Sequence, residues 1–390
     1  MKLLVIGCGQ CGGRVADEFA RRNRMARAQR GIEIVTDAIA VNTDIADLSG
    51  LVFIKSNYRH RIMIGSQKSG GHGVGKINEL GAEIARDDGD KVLESVAQAQ
   101  QASEADAFLL IAGAAGGTGS GAIAVLSQQI REHYPGKPLY NLIILPFRYE
   151  EATEDRAIFN VGTCLKSAYL VADAVILADN QRYLKERESI KNNLARINSR
   201  LVAPFYNLLC AGEETDPRFV GSRVVDAGDI IQTLAGWTVI GQGRTQVSRK
   251  FPFSDKFDFR DRASETDRGM QAMNQAMASL SLKCTLSDAR RALYLLTSPP
   301  ERMSIDLIKD LSASLRSIAT DAIIRSGDYP RGRAFIDVAV VLSELTNSRR
   351  ISDYFSRTLR YIYLSKQKRG DQDLGKAGIE EALRDIPLLI

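Results

Sequence analysis

The chain has 390 residues, 44% of them hydrophobic and 25% charged, and carries a formal net charge of +5. This is a globular composition, and the length favours two domains over a single core. The charge is too small to require nucleic acid or an anionic membrane as a partner, so no nucleic-acid binding is expected, and the sequence shows neither a bilayer-spanning apolar run nor a signal peptide.

Short apolar strands alternate with helices in the first half of the chain. Strands are predicted over 2–6, 32–41, 107–112, 139–146 and 171–178, with further strand-like pieces over 51–64. Helices are predicted over 15–30, from the loop 65–75 through 102, and from the loop 113–121 to about 134. This alternation predicts a doubly wound, mostly parallel α/β sheet. Glycine-rich loops at 7–13, 65–75 and 113–121 follow strands, so they should meet at the carboxyl edge of the sheet, where ligands bind in such folds.

The first loop contains Gly7-Cys-Gly-Gln-Cys-Gly12, which fits the dinucleotide pattern G-x-G-x-x-G and taken alone indicates a nicotinamide-dependent oxidoreductase. The next acid at a strand end is Asp44, farther along than the ~20 residues expected of a ribose-binding acid. That hypothesis also leaves the other two loops without a role. Three loops at one edge suit a single nucleotide with a longer phosphate chain.

Cys8 and Cys11 in this loop have the spacing of a redox pair or of half a metal site. There is no second Cys-x-x-Cys, and His60, His72 and His133 have no ligand spacing. We therefore favour small buried thiols, identify no metal-ligating residues in the sequence, and expect a reducing, cytoplasmic location.

The most informative loop is 113–121, Gly-Ala-Ala-Gly-Gly-Thr-Gly-Ser-Gly. So few side chains let backbone N–H groups close around phosphate oxygens, and the following helix N-terminus adds its positive end. The loop lacks the lysine of a P-loop, so amides, helix dipole and a cation such as Mg²⁺ would meet the phosphate charge. A flexible turn is the plainer alternative, but five glycines between a strand and a helix would be costly for a turn alone.

The second half predicts a connecting helix and a smaller α+β domain. One long helix is predicted over 181–212, with Pro204 as a kink. The predicted domains are 1–180, which binds nucleotide, the helix 181–212, a C-terminal domain over 213–364 with strands at 291–297 and 334–342, and a linker and tail over 365–390. The apolar end of the tail suits either a partner's groove or packing on its own domain, and both stay open.

Taken together, these segments resemble the tubulin/FtsZ superfamily of GTP-driven filament proteins, and most closely its archaeal CetZ branch. The segment 116–121 is similar to the GGTG[ST]G signature, 146–150 to the FtsZ P-F-x-[FY]-E segment, and Asp179-Asn180 to the tubulin Asp-Asn pair. Segments 211–213, 224–226 and 326–330 look most like CetZ. The resemblance implies a cytoskeletal GTPase that binds GTP or GDP with Mg²⁺, polymerises head to tail, and acts in cell shape or cell division.

The resemblance also implies the nucleotide-binding residues. Gln10 would approach the phosphates, Glu150 would face the ribose, and Asn180 and Asn198 would hydrogen-bond guanine. The full predicted set is Gly9, Gln10, Cys11, Asn42, Asp44, Gly70, Gly71, Gly73, Gly113, Ala114, Ala115, Gly116, Gly117, Thr118, Gly119, Ser120, Glu150, Asn180 and Asn198. Arg156 is displaced from the place of the family's arginine, and the base-stacking aromatic has no clear match, so a nucleotide-binding scaffold with little or no hydrolysis is the alternative.

Asp226 and Asp229 are the predicted catalytic residues. The resemblance implies that they lie on a loop that one subunit inserts into its neighbour's nucleotide site. Two such carboxylates can polarise one water, which is the help that γ-phosphate hydrolysis needs. An N-cap and a first-turn acid of a helix are the alternative. The predicted partner is the chain itself, with a further partner or membrane adaptor at the tail as an option that would bring the protein to the inner membrane surface.

Overall fold

The structure is a computed structural model that describes residues 1–99, 102–185, 187–246, 259–332, 334–346, 348–368, 384 and 386–390. The chain forms two compact units. The larger unit comprises Lys2–Met25, Val35–Ser199 and Ser348–Ile390, and the smaller comprises Met1, Ala26–Ile34 and Arg200–Asn347.

The larger unit contains a parallel sheet. Its strands, within the described residues, are β1 (Leu3–Cys8), β2 (Val35–Asn42), β3 (Arg61–Met63), β4 (Ala107–Gly113), β5 (Leu139–Leu145) and β6 (Ala174–Asp179). They lie in the order β3-β2-β1-β4-β5-β6, and neighbours are parallel. Both β1 and β5 are buried along their whole length, because helices cover both faces of such a sheet. The predicted parallel α/β architecture is confirmed.

The helices of the first half alternate with these strands. Their bounds are α1 (Gly9–Arg30), α2 (Ile45–Ser49), α3 (Ser66–Ser69), α4 (Asn78–Asp87), α5 (Gly89–Gln98), α6 (Thr118–His133), α7 (Arg148–Thr153), α8 (Asp155–Val171) and α9 (Ile190–Ala211), with 3₁₀ turns at Ala102–Glu104 and Asn180–Tyr183. Helices α1 and α9 each contribute residues to both units.

Three local predictions were wrong. The first glycine-rich loop is short, because α1 already begins at Gly9. The predicted helix over 181–212 begins only at 190, since Asp179 accepts a hydrogen bond from the Gln181 N–H at 3.0 Å and starts a separate 3₁₀ turn. The strand-like pieces over 51–64 reduce to β3.

The smaller unit contains a mixed sheet. The elements of its described residues are α10 (Ala227–Thr233), β7 (Gly236–Gln246), α11 (Phe259–Ala278), β8 (Arg291–Ser298), α12 (Ile305–Ile318), β9 (Ile323–Pro330) and β10 (Phe335–Leu345), with 3₁₀ turns at Leu286–Asp288 and Pro300–Arg302. The order is β7-β10-β8-β9, with β10 antiparallel to β7 and β8, and β8 parallel to β9. The predicted smaller α+β domain is confirmed as a fold class.

Strand β7 was missed in the sequence because its internal glycines look like loop residues. They are there because α11 packs closely on the strand. A Cβ at Gly241 would meet the Ala276 carbonyl oxygen at 2.3 Å, and one at Gly243 would meet the Ala272 carbonyl oxygen at 1.9 Å. The period-2 pattern of a strand is therefore interrupted by a packing requirement that only tertiary structure imposes.

The last helix, α13 (Arg349–Lys368), belongs to the larger unit and packs on α8. The Thr358 hydroxyl donates to the Ile158 carbonyl at 3.0 Å, and a Cβ at Gly162 would meet that hydroxyl oxygen at 2.2 Å. In the sequence, α13 includes the end of the predicted C-terminal domain, which was expected to stop at 364, and the start of the predicted linker. The domain bounds stay a prediction, and the linker beyond 368 lies outside the described residues.

The end of the chain packs on the larger unit. Ile386 and Leu389 are 1% and 3% exposed. The Leu389 N–H donates to the Ser167 hydroxyl at 3.0 Å, and Lys166 donates to the Ile386 carbonyl at 2.7 Å. Of the two alternatives for the tail, residues 386–390 fit the second, because they pack on the unit to which they belong. None of the described helices combines the length and apolar character that crossing a membrane requires.

We expect Leu389→Ala to lower the free energy of unfolding by about 2 kcal/mol, because it leaves a cavity where a leucine was buried. Leu388→Ala is the matched control, since Leu388 is 45% exposed and its truncation should be nearly neutral. Urea unfolding midpoints of the two variants measure the difference. Equal midpoints would contradict the docking of the tail.

Candidate functional site

A cavity of about 300 Å³ lies at the carboxyl ends of the strands of the larger unit. Cys8, Asn42 and Gly113 are the last residues of β1, β2 and β4. Pro146 and Asn180 directly follow β5 and β6. The described residues that line the cavity are Cys8, Gly9, Gln10, Cys11, Asn42, Asp44, Asp47, Gly73, Lys76, Gly113, Ala115, Gly116, Gly117, Thr118, Gly119, Ile144, Pro146, Glu150, Ala157 and Asn180.

Two helix N-termini meet at this cavity. Helix α1 begins at Gly9, directly after β1, and α6 begins at Thr118, in the middle of the glycine loop 113–121. The two starts touch, because a Cβ at Gly9 would lie 2.8 Å from the Gly119 nitrogen. The first N–H groups of a helix have no intrahelical acceptor, and the dipole adds positive charge. The arrangement therefore suits an anion with several oxygens, such as a phosphate chain.

Glycine at position 12 makes this approach possible. A Cβ at Gly12 would lie 2.0 Å from the Ile111 carbonyl oxygen, so α1 rests with its backbone against β4. The next glycine is different: a Cβ at Gly13 would have its nearest neighbour at 3.8 Å. Only the first of the two is required by packing.

Polar side chains connect the loops around the cavity. The Gln10 amide donates to Asp47 Oδ1 at 2.5 Å, and the Asn42 amide donates to Asp47 Oδ2 at 3.1 Å. On the buried side, the hydroxyls of Thr43 and Thr118 are 2.6 Å apart. These bonds hold the second strand's loop, the start of α1 and the start of α6 in one arrangement.

The charges at the cavity are mostly negative. Asp44, Asp47 and Glu150 line it, and Lys76 is the one cationic side chain among the described lining residues. No group of three or more His, Cys, Asp or Glu in the described chain could hold a metal ion by itself. Asp44 and Asp47 still fit Mg²⁺, since that ion is usually bound through one or two carboxylates together with substrate phosphates.

The side of the cavity near β6 is supported by α13. Glu150 accepts a hydrogen bond from the Phe147 N–H at 2.8 Å, and its neighbour Glu151 is buried and ion-paired with Arg350 and Arg357. Burial raises the pKa of Asp179, and the nearby Arg350 guanidinium opposes that rise. Helix α13 thus fixes the residues next to Glu150 and next to Asn180.

Two family models together match most of the chain. Residues 2–187 match the model of the Tubulin/FtsZ family, GTPase domain, and residues 187–359 match that of Tubulin-like CetZ, C-terminal domain. The tubulin-like protein CetZ1 of Haloferax volcanii is 34% identical over 370 residues, which is 90% of each chain.

Solved structures agree with these matches. The GDP-bound monomer of Haloferax volcanii CetZ1 has a TM-score of 0.79 at 32% identity, covering 92% of this chain and 99% of that one. The GTPγS-bound protofilament of CetZ2 from the same organism has a TM-score of 0.79 at 28% identity, covering 94% and 100%.

The chain belongs to the CetZ family of tubulin-like proteins. The predicted superfamily and branch are confirmed. Membership in this cytoskeletal family contradicts the nicotinamide-dependent oxidoreductase. Gly9 of the dinucleotide-like segment lines the CetZ cavity instead.

Most residues in the predicted nucleotide-binding set line the CetZ cavity, and their roles stay a prediction. The predicted residues outside the lining are Gly70, Gly71, Ala114, Ser120 and Asn198. Gly70 and Gly71 form a turn with φ of 59° and 82°. The Ala114 N–H donates to the Ile144 carbonyl at 2.9 Å, and the Ser120 hydroxyl donates to the Gly116 carbonyl. Ala114 and Ser120 therefore fix the backbone of the glycine loop without lining the cavity themselves.

Sequence reasoning missed several lining residues of this CetZ site: Cys8, Asp47, Lys76, Ile144, Pro146 and Ala157. Two of them carried a signal. Asp47 follows Asp44 by three residues, and Asp44 caps α2 by accepting from the Asp47 N–H at 3.1 Å. Lys76 directly follows the second glycine-rich loop, 65–75. Burial raises the pKa of the Cys8 and Cys11 thiols to about 12, so both are protonated at neutral pH.

Asp226 and Asp229 lie in the smaller unit of the CetZ chain, and neither lines the cavity. Asp226 caps α10 by accepting from the Asp229 N–H at 2.8 Å. Asp229 lies 3.3 Å from Arg325 Nε. The structural alternative for these acids is thus present, and it leaves the exposed Asp226 carboxylate available for a second role.

We expect Gly12→Ala to lower the free energy of unfolding by about 3 kcal/mol or more, because the backbone of α1 must move away from β4. Gly13→Ala is the matched control and should be neutral or raise that free energy by about 0.5 kcal/mol, since alanine is the better helix residue. Thermal unfolding followed by circular dichroism compares the two. A Gly12→Ala protein as stable as Gly13→Ala would show that the close approach is not needed.

Proposed function

We propose that this CetZ chain binds guanine nucleotide in the cavity, hydrolyses GTP and polymerises head to tail. The observation that carries the proposal is the meeting of two helix N-termini and a glycine loop at the carboxyl ends of β1 and β4. Free N–H groups there are complementary to phosphate oxygens. The GDP-bound and GTPγS-bound CetZ structures support guanine nucleotide as the ligand, and the protofilament supports self-assembly.

The nucleotide would lie along the strand ends. Gly116 to Gly119 and the start of α1 would hold the phosphates. Glu150 would face the ribose, and Asn180, with Asn198 as the second amide, would hydrogen-bond guanine. Asp44 and Asp47 would hold Mg²⁺, which when bound neutralises part of the phosphate charge.

A second copy of the chain would complete the active site. Asp226 and Asp229 are absent from the cavity lining of their own chain, so we assign them to the nucleotide of the next copy. There they would orient and polarise the water that attacks the γ-phosphate. A contact between two different surfaces of identical copies does not close on itself, and it therefore yields a filament.

The biological role we propose is in cell shape or cell division, in the cytoplasm. A partner or membrane adaptor at the tail stays a prediction, and most of the tail before residue 386 lies outside the described residues.

A scaffold with little or no hydrolysis is the second candidate. It is motivated by the lining of the cavity, which among the described residues contains neither an aromatic side chain nor an arginine. Arg156 instead pairs with Glu79 and lies over the Phe159 ring at 4.8 Å. Weak fixation of the base and of the phosphates would slow turnover.

The decisive measurement is phosphate release from GTP with Mg²⁺ at increasing protein concentration. We expect the rate per subunit to be near zero at low concentration and to rise above a threshold, because the catalytic acids come from the next copy. A constant rate per subunit would contradict the shared site. Nucleotide binding without phosphate release at any concentration would favour the scaffold.

Asp226→Asn separates capping from catalysis. Asparagine caps a helix about as well as aspartate, so stability should not change, whereas loss of the carboxylate should slow GTP turnover by about 10²-fold. Asp229→Asn should do the same, with GTP binding and sedimentable filaments retained in both variants.

Asp306→Asn is the matched control, because Asp306 is an exposed first-turn acid of α12 in the same unit. Turnover at the wild-type rate in both Asp226→Asn and Asp229→Asn would remove these acids from catalysis and leave their capping role.

A further inference from the structure

Lys76 is the feature of the cavity that the proposed function does not yet use. The glycine loop offers only backbone N–H groups, and the lining contributes the carboxylates of Asp44, Asp47 and Glu150. A nucleoside triphosphate adds further negative charge, and its terminal phosphate carries more of it than either inner phosphate. Lys76 is the one lysine or arginine among the described lining residues. Arg156 is not part of the lining and pairs with Glu79 instead.

The backbone of Lys76 is held in an unusual conformation. Its φ is 62°, in the left-handed region that residues other than glycine rarely adopt. The Asn160 side-chain amide donates to the Lys76 carbonyl at 2.9 Å, and to the carbonyls of Ala115 and Gly116 at 3.0 and 3.1 Å. Asn160 is fully buried. One amide thus fixes the position of Lys76 relative to the phosphate loop.

A close contact with the glycine loop adds to this. A Cβ at Gly117 would lie 3.0 Å from the Lys76 Cα, so only glycine allows the two loops to pack at this distance. Backbone strain held by surrounding contacts is a common property of binding sites. Here the strain places a lysine at the mouth of an anion site.

The Lys76 ammonium is paired with Glu154, the residue that precedes α8. Both side chains are about half exposed, at 50% and 41%. An ion pair in water is weak, so a phosphate with more charge and more acceptor oxygens can replace the carboxylate. Lysine has the flexible stem that such a change of partner needs.

We propose that Lys76 binds the terminal phosphate of the triphosphate, leaving Glu154 when the triphosphate is bound and returning to it in the diphosphate state. Asn160 positions it, and Glu154 is the competing counter-ion. The proposal rests on guanine nucleotide binding in this cavity and adds to it the residue that distinguishes GTP from GDP.

The test is calorimetric titration with GTPγS and with GDP, in Mg²⁺ and below the protein concentration at which light scattering rises. Lys76→Met should raise the Kd for GTPγS about tenfold, the loss of one charge-assisted contact, and change the Kd for GDP by less than about twofold. Lys68→Met is the matched control, because Lys68 pairs with Glu83 and Asp87 and does not line the cavity. It should leave both constants unchanged.

Glu154→Gln should act in the opposite direction. Without its counter-ion, Lys76 is available to the phosphate, and the Kd for GTPγS should fall about threefold with the Kd for GDP unchanged. Glu83→Gln, which removes one of the two carboxylates that pair with Lys68, is the control for this variant and should leave both constants unchanged. A purely structural role of the pair would not move the two variants in opposite directions.

Two results would overturn the proposal: equal losses for GTPγS and GDP in Lys76→Met, which would mean a general disturbance of the site, or no loss for either. Failure of the underlying function is distinguishable, because the wild-type chain would then bind neither nucleotide.

Discussion

The close contact between the glycine backbone of α1 and strand β4 is the constraint on which the cavity depends. The absence of a side chain at Gly12 lets the helix lie against the Ile111 carbonyl, and this brings the start of α1 against the start of α6 at Gly119. Two sets of free N–H groups then face one space, which neither helix would create alone. The anion site is therefore a result of backbone packing, and most of its lining has no side-chain chemistry.

The remaining polar side chains hold the loops around that space. Asp47 joins the start of α1 to the end of β2. Thr43, directly after β2, bonds to Thr118 at the start of α6. Asn160 joins Lys76, which follows the loop 65–75, to the glycine loop 113–121. Such bonds are worth little each in net stability, but a buried amide left without acceptors is costly. Each bond therefore favours one arrangement of the loops, and a ligand that changes one loop affects the others through them.

Carboxylates in this chain combine structural and electrostatic work. Asp226 satisfies an N–H at the start of α10 with one oxygen, while the side chain remains exposed. Glu151 is enclosed by Arg350, Arg357 and Tyr354 and fixes α7 to α13. Burial raises the pKa of the Tyr354 phenol, and its bond to Glu151 adds to the rise, so the phenol stays protonated over the neutral range.

The sequence by itself determined the alternation of strands and helices, the three glycine-rich loops and the family, because buried parallel strands and phosphate loops have strong local patterns. Gly116, Thr118, Asn42 and Asn180 lie together at one edge of the sheet, where the order of strands and loops in the sequence puts them, and their roles toward a nucleotide stay predictions. Tertiary structure alone decided that α1 begins at Gly9, that β7 contains two glycines under α11, and that residues 386–390 cover the larger unit. In each of these cases the cause is a contact between segments far apart in the chain, which no local pattern records.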